Sequence, residues 1–327
     1  MILGCLVWMN REGLAELRHR QLNWWFLSGA IVCVVAATLL AIARWHLLVR
    51  ALGIPFRFRD AIRLGLIGQL LSYVGPGVIG GDVFKALFLA RGQASRRTMA
   101  VATVLLDRIV GLLSLFILGA LMTLAMRGLP VSPETRIVTG LLWVGTVCGV
   151  LGFTIVLIPG STRWWLVRQL PRLPLLGRTF HELIQGVLLY QKRPLVIVSS
   201  ILIGMASRGA AIVGFYCSGR AIEPWVLDLA KHFYFMPMAE LFATLLPTPG
   251  GIGGLEGAVQ YSYQALAEGA VTPLAAQHAG FIAALIFRLI LVGIAGTGML
   301  YFLSSQRDAS SVLVKTPVPE RAVAGVP

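Results

Sequence analysis

The sequence predicts an all-α fold, a polytopic bundle of membrane helices that contains two Gly- and Pro-broken hairpins. Three observations predict it. First, 57% of the 327 residues are hydrophobic and 13% are charged, with a mean hydropathy of +0.80; a soluble domain has about 25% charged residues, so this composition excludes one. Second, five apolar stretches have the length of a membrane crossing. Third, two further apolar stretches are interrupted by glycine and proline in similar motifs.

The five uninterrupted stretches are predicted to cross the bilayer as helices. A helix needs about 20 apolar residues to cross a hydrocarbon core of about 30 Å. The stretches lie near residues 24–43, 99–126, 136–159, 194–219 and 277–303. Together with the interrupted stretches they define a single transmembrane domain at residues 24–303.

Three segments that are more polar than the predicted spans lie next to them. Residues 1–23 are expected to form an interfacial N-terminal segment. Residues 160–193 combine basic residues with tryptophan and leucine, and are expected to form an amphipathic loop on the cytoplasmic surface. The polar, proline-containing residues 304–327 are expected to form a disordered C-terminal tail.

The two interrupted stretches, residues 64–90 and 238–266, each contain a glycine-rich break that ends in an acidic residue. The breaks are Pro76-Gly77-Val78-Ile79-Gly80-Gly81-Asp82 and Pro249-Gly250-Gly251-Ile252-Gly253-Gly254-Leu255-Glu256. Lipid offers no water to backbone N–H and C=O groups, so such breaks are tolerated only where protein or a wet cavity satisfies them. Paired interruptions of this kind indicate a binding site within the membrane. The predicted hairpin tips are Pro76, Gly77, Gly80 and Gly81 in the first stretch, and Pro249, Gly250, Gly253 and Gly254 in the second.

The distribution of Lys and Arg favours re-entrant hairpins, because cytoplasmic loops carry an excess of positive residues. If both interrupted stretches crossed, each side would have 12 Lys and Arg. If both are re-entrant, one side has 17 and the other 7, with the N-terminus outside. The hairpins then enter from opposite sides, as an inverted repeat of residues 64–126 and 238–303. Arms of about ten residues, roughly 15 Å long, bring the tips near the midplane.

Eight ionisable residues fall within the apolar stretches, and we expect them to be paired. They are Asp82, Lys85, Asp107, Arg108, Arg208, Glu240, Glu256 and Arg288. A charge at the bilayer centre costs about 2.5–3.5 kcal/mol, so such residues face the protein interior and find partners. Asp107 and Arg108 are adjacent on a helix and point about 100° apart, so each is expected to pair with another element.

Two interpretations of these charges stay open. In the structural one, Asp82 is the N-cap of a second arm and Glu256 lies in a first helical turn, where the helix dipole favours negative charge. In the functional one, the basic residues bind an anionic headgroup and the four acids hold them in place. The basic residues of the loop after the first span are interpreted as topology alone: Arg44, Arg50, Arg57, Arg59 and Arg63.

Other kinds of site and partner are not indicated. The four cysteines are isolated and no histidine lies at metal spacing, so neither a disulfide framework nor a metal site is expected. No nucleophile or cofactor motif occurs, so no cofactor is expected. The net charge of +14 is carried mainly by the loops between apolar spans. The expected partner is therefore anionic lipid and not nucleic acid.

Four motifs in a fixed order resemble those of a known family. They are Gly75-Pro76-Gly77-Val78-Ile79-Gly80-Gly81-Asp82-Val83-Phe84-Lys85, the pair Asp107-Arg108, the run Pro247-Thr248-Pro249-Gly250-Gly251-Ile252-Gly253-Gly254-Leu255-Glu256, and Arg288. Together they resemble the lysylphosphatidylglycerol synthase transmembrane-region family, which includes the flippase half of the bacterial multiple peptide resistance factor. The resemblance covers about residues 20–305. It implies headgroup binding or movement for Asp82, Lys85, Asp107, Arg108, Glu256 and Arg288, with Lys85 standing where arginine is common in relatives.

The motifs, the charges and the resemblance together favour a lipid flippase or transporter of the bacterial inner membrane. Its expected partners are membrane lipids with anionic or glycosylated headgroups, and an enzyme of lipid synthesis is a further candidate. The resemblance extends to no aminoacyl-transferase domain, so we expect no enzyme activity and no synthesis of lysylphosphatidylglycerol. Two alternatives stay open: a membrane-embedded enzyme with Asp82 and Glu256 as acid and base, and an accessory subunit that binds lipid or a partner enzyme.

Overall fold

The computed structural model describes residues 21–74, 79–91, 97–126, 133–158, 190–191, 193–245 and 253–313. The regular secondary structure of these residues consists of nine α-helices without any strand, which confirms the all-α prediction. The helices are α1 Trp24–Ala51, α2 Phe58–Val74, α3 Ile79–Arg91, α4 Arg97–Ala125, α5 Pro133–Leu157, α6 Pro194–Arg220, α7 Leu229–Leu245, α8 Gly254–Leu266 and α9 Pro273–Leu313.

Five helices, α1, α4, α5, α6 and α9, are long and apolar enough to cross a membrane. Their candidate spans are Trp24–Ala51, Val101–Ala125, Arg136–Ile155, Pro194–Arg220 and Pro273–Gly298. Each span coincides with one of the five uninterrupted stretches of the sequence. Within the described residues, the candidate spans therefore agree with the predicted crossings in number and position, by length and composition.

Local sequence signals begin several of these helices. The side chain of Asn23 accepts hydrogen bonds from the N–H groups of Trp25 and Phe26 and so caps α1. Helices α5, α6 and α9 each begin with proline. The fixed φ of proline suits the first turn, and its lack of an N–H costs nothing there because first-turn N–H groups have no partner within the helix. Trp24 and Trp25 are exposed, which suits an aromatic belt at a membrane interface.

Both interrupted stretches fold as pairs of packed helices, α2 with α3 and α7 with α8. In each pair the first arm has 17 residues and the second has 13, so the predicted arms of about ten residues were too short. The first arms begin at Phe58 and Leu229, ahead of the predicted limits. The early turns of these helices contain charged residues such as Asp60 and Lys231. Because hydropathy is low there, a boundary based on hydropathy placed both helix starts too late.

The two arms of the first hairpin approach each other to backbone contact at glycine. A Cβ on Gly81 would lie 2.0 Å from the carbonyl oxygen of Gly68. A Cβ on Gly68 would lie 2.7 Å from Cε of Lys85. A side chain at position 81 would collide with the backbone of α2, so Gly81, predicted as part of a tip, serves the packing of α3 on α2.

The second hairpin is closed by a buried histidine. Nδ1 of His232 on α7 donates to the carbonyl oxygen of Asp228 at 2.9 Å, and Nε2 accepts a hydrogen bond from the hydroxyl of Tyr263 on α8 at 2.8 Å. His232 and Tyr263 are both fully buried. Phe215 and Phe235 lie against the imidazole ring, so α6, α7 and α8 meet around it.

The order of elements repeats along the chain. A long helix, a hairpin and a second long helix occur as α1–α4 and again as α6–α9, with α5 between them. Helix α1 packs along α6, and in each half the second hairpin arm packs on the long helix that follows it. The predicted units, residues 64–126 and 238–303, therefore contain like elements. Their inverted orientation and their re-entrant paths stay predictions.

The glycines that end the two breaks take part in starting the second arms. Gly80 and Gly81 lie in the first turn of α3, Gly254 begins α8, and Gly253 has a φ of 90°, which glycine adopts without strain. Asp82 is not the predicted N-cap: because Ile79 and both glycines already have helical geometry, it lies in the first turn. The other predicted tip residues lie outside the described residues: Pro76, Gly77, Pro249 and Gly250.

The predicted boundaries at the chain ends are partly corrected. Helix α9 continues to Leu313, although a tail was predicted from residue 304, because no proline or glycine interrupts the sequence before Pro317. Residues 1–20 and 314–327 lie outside the described residues, as does most of the predicted loop 160–193. At the end of that loop, the buried hydroxyl of Tyr190 donates to the carbonyl oxygen of Leu48 at 2.8 Å, and burial raises the pKa of this phenol.

Candidate functional site: a charged cavity between the two halves

A cavity of about 460 Å³ lies between the two halves of the molecule. Eight of the nine described helices line it, four from α1–α4 and four from α6–α9, and α5 does not. Its charged lining residues are Arg44, Lys85, Asp107, Arg208 and Glu240. Both halves of the molecule therefore contribute charged residues to one space.

In the first half, two ion pairs connect three helices. Nε of Arg44 on α1 lies 2.8 Å from Oδ1 of Asp107 on α4. Nη1 of Arg108, also on α4, lies 2.6 Å from Oδ2 of Asp82 on α3. Nζ of Lys85 is 3.9 Å from the other oxygen of Asp82. Asp107 and Arg108 thus have separate partners on separate helices, as their spacing predicts.

The second half has two further ion pairs between helices. Nη1 of Arg208 on α6 lies 2.5 Å from Oε2 of Glu240 on α7. Nε of Arg288 on α9 donates to Oε1 of Glu256 on α8. The other oxygen of Glu256 accepts a hydrogen bond of 2.8 Å from the N–H of Gly253, which caps α8. Glu256 therefore lies in the first turn of its helix, as predicted.

The structure brings six of the eight predicted site residues to the cavity or its edge. Lys85, Asp107, Arg208 and Glu240 line it, and Asp82 and Arg108 form the ion pair next to Lys85. Glu256 and Arg288 are not among the lining residues, although their neighbours Leu255 and Phe287 are. All four predicted acids pair with an arginine on another helix, which confirms the expected pairing.

Arg44 was interpreted as a topological charge, and the structure corrects this. Helix α1 runs to Ala51, beyond the apolar run that ends near residue 43, so Arg44 lies inside the helix and is buried. Its guanidinium packs against Gly111 and Gly204, where a Cβ would approach its nitrogens to 3.0 and 3.1 Å. The sequence signal was weak, because an arginine at the end of an apolar run is also typical of a loop at a membrane surface.

Several uncharged residues of the cavity were also not predicted. Trp45 lies beside Arg44, with Nζ of Lys85 5.6 Å from the centre of its indole ring. Hydroxyl and amide side chains complete the polar lining: Thr38, Gln69, Ser72, Ser207 and Thr244. Gln69 and Ser72 are three residues apart on α2, a spacing that places both on one helix face and would have marked that face.

These features define a class of protein: a multi-pass helical membrane protein in which two similar sets of helices line a cavity that contains ion-paired charges. The model of the family described as "Lysylphosphatidylglycerol synthase TM region" matches residues 1–296. The chain belongs to this family, as the sequence motifs indicated.

The comparison with curated proteins supports the same assignment. A UPF0104 membrane protein of Methanocaldococcus jannaschii is 24% identical over 96 residues, a match that covers 28% of this chain and 29% of the relative. The chain thus aligns with less than a third of that relative's length. No solved structure matches the chain.

Proposed function

We propose that the protein is a lipid flippase or transporter of the bacterial inner membrane. In this proposal the cavity holds the polar headgroup of an anionic or glycosylated lipid while the acyl chains stay in the bilayer. The observation that carries it is the position of the cavity between the two halves, with charged residues from both halves in its wall. A site shared by two repeats near the middle of the membrane is the arrangement that transporters use for alternating access.

The size and chemistry of the cavity support a headgroup as cargo. A volume of about 460 Å³ lies within the range of about 300–1,000 Å³ that small-molecule sites occupy. Its arginines and lysine are donors for phosphate oxygens, and its hydroxyl and amide groups suit sugar or glycerol hydroxyls. A headgroup that moves through hydrocarbon alone loses these hydrogen bonds, so the cavity lowers the barrier to its crossing.

The alternatives of a membrane-embedded enzyme and an accessory subunit have less support. Acid–base catalysis needs two carboxyl groups whose environments push their pKa values apart. The two carboxylates proposed for it, Asp82 and Glu256, each accept from an arginine and belong to different pairs. We therefore propose a non-enzymatic function. Lipid movement by the purified protein distinguishes a flippase from an accessory subunit, because such a subunit moves no lipid on its own.

The proposal is tested by lipid movement in vesicles that contain only the purified protein. A fluorescent phosphatidylglycerol or a fluorescent glycolipid is placed in both leaflets, and a membrane-impermeant reductant is added outside. We expect quenching to pass well beyond the half that protein-free vesicles allow. Arg208→Met should slow it, because Arg208 contributes a cavity cation.

Arg136→Met is the matched control for that variant. It removes an exposed cation from α5, which does not line the cavity, so lipid movement should stay at the wild-type rate. Absence of movement for every anionic and glycosylated lipid, with and without a proton gradient, would exclude the flippase and leave the accessory role.

A further inference from the structure

The charges of the cavity do not balance, and the imbalance is informative about the ligand. Three cations, Arg44, Lys85 and Arg208, line the space together with two carboxylates, Asp107 and Glu240. Arg108 and Asp82, the pair at its edge, cancel each other. The described wall therefore carries one net positive charge. An uncompensated charge is costly in a site of low dielectric constant, so a ligand with one negative charge fits best.

Lys85 is the cation from which this charge originates. Arg44 and Arg208 each have a carboxylate within hydrogen-bond distance, at 2.8 and 2.5 Å. The ammonium of Lys85 has no hydrogen-bond acceptor among the described residues, and its nearest carboxylate, that of Asp82, is 3.9 Å away and already bonded by Arg108. An ammonium group has three donors. Those of Lys85 are available to a ligand.

The hairpin geometry places this ammonium at the cavity. Gly68 on α2 lies directly against the Lys85 side chain, so the stem passes over α2 where a larger residue would block it. Trp45 on α1 lies below the ammonium and attracts it through its ring face. The indole N–H of Trp45 is itself buried without an acceptor in the described part of the chain. The ammonium of Lys85 thus lies over a side chain whose own buried N–H has no acceptor among the described residues either.

We propose that Lys85, supported by Trp45, is the phosphate-binding residue of the cavity and that the preferred cargo is a lipid with one negative charge, as a phosphodiester carries. The inference rests on the proposed function but makes a narrower statement about the same site. A neutral glycolipid leaves the positive charge of the wall unmatched. A phosphomonoester carries about −1.5 to −2 at neutral pH and reverses the imbalance.

The test is equilibrium binding of short-chain lipids to the purified full chain in neutral detergent, followed by calorimetry. The probes are dihexanoyl phosphatidylglycerol with one charge, dihexanoyl phosphatidic acid as the monoester, and a neutral dihexanoyl glycolipid. We expect the singly charged lipid to bind at least about tenfold more tightly than either of the others, a difference of about 1.4 kcal/mol. Equal or tighter binding of the monoester or of the glycolipid overturns the proposal.

Two variants should move this preference in opposite directions. Lys85→Met makes the wall neutral, so the advantage of phosphatidylglycerol over the glycolipid should disappear, whereas Lys85→Arg should keep it. Glu240→Gln raises the net charge of the cavity wall by one and should shift preference toward the monoester.

Arg136→Met on α5 is the control and should leave the order of the three lipids unchanged. Unaltered order in both cavity variants also overturns the proposal.

Binding and movement are measured separately, so the two failures are distinguishable. Charge-selective binding without movement in vesicles contradicts the flippase and leaves the phosphate site. Movement without charge selectivity contradicts the phosphate site and leaves the flippase. If a variant does not fold, the order of the three lipids on the wild-type protein still decides the question.

Discussion

The two hairpins have the same ion pair in different surroundings. In each, an acid in the first turn of the second arm pairs with an arginine of the long helix that follows. The side chains of Asp82 and Arg108 are 28% and 30% exposed, whereas those of Glu256 and Arg288 are 1% and 10% exposed. Because a buried pair resists separation and an accessible one is screened, we infer that the second hairpin is held in place and the first can exchange contacts with a ligand.

The contacts around each pair support this difference. Glu256 also accepts from the N–H of Gly253, and the hydrogen bond between His232 and Tyr263 closes the same hairpin. In the first hairpin the carboxylate of Asp82 lies between Arg108 and the ammonium of Lys85. If a ligand phosphate binds Lys85, as proposed above, it competes with Asp82 for that ammonium, whereas the buried pair of Glu256 and Arg288 lies away from it.

The largest expected effect concerns the direction in which the two hairpins enter the membrane. Single cysteines at Ala94 and Ala270, in a protein without its native cysteines, report the ends of the two second arms. If the hairpins are opposed re-entrant structures, Ala94 reacts with an impermeant thiol reagent only from the cytoplasm and Ala270 only from outside. Labelling of both sites from the cytoplasm would contradict the inverted repeat and, with it, the equivalence of the two hairpins.

The next largest effect is on stability, at the buried pair. The Glu256 side chain is 1% exposed, and Arg288→Met removes the arginine that pairs with it. Breaking a buried ion pair in this way lowers the free energy of unfolding by about 3–5 kcal/mol. We expect a clearly lower unfolding temperature in detergent, partly restored in the double variant Arg288→Met with Glu256→Gln. An unfolding temperature equal to that of the wild type would show that the second hairpin is not held by this pair.

A smaller loss is expected from the glycine contact of the first hairpin. Gly81→Ala places a methyl group 2.0 Å from the Gly68 carbonyl oxygen, and overpacking of this kind costs about 1–3 kcal/mol. Gly257→Ala is the matched control on α8, because nothing lies within 4 Å of a Cβ there. It should be neutral or stabilising by up to about 1 kcal/mol through helix propensity. Equal unfolding temperatures of the two variants would contradict the close contact.

The smallest stability effect is expected at the accessible pair. Arg108→Met should lower the free energy of unfolding by about 1 kcal/mol or less. Its partner Asp82 stays partly exposed and still has the ammonium of Lys85 nearby. Lipid movement in vesicles should nevertheless fall, since Lys85 then becomes the only described partner of Asp82 and is drawn away from the ligand. A loss of stability as large as that of Arg288→Met would remove the distinction between the two hairpins.

The sequence alone determined the class of fold and the positions of its spans. Hydropathy is a local property, so five apolar runs were enough to place the crossing helices, and glycine with proline was enough to place the two interruptions. The eight charged residues were found in the same way, because a charge in an apolar run is visible without any knowledge of packing. That the four acids have basic partners also followed, from the cost of leaving a charge alone in a membrane.

Only the tertiary structure decided which charges meet and which of them reach the cavity. Arg44 and Asp107 are 63 residues apart in the chain, and the pairs of Arg108, Arg208 and Arg288 span 26, 32 and 32 residues. Such partners depend on how α1, α4 and the hairpins pack, which no local pattern encodes. For the same reason, the similar motifs that end in Asp82 and Glu256 gave no sign that one acid lies at the edge of the cavity and the other is sealed in the core.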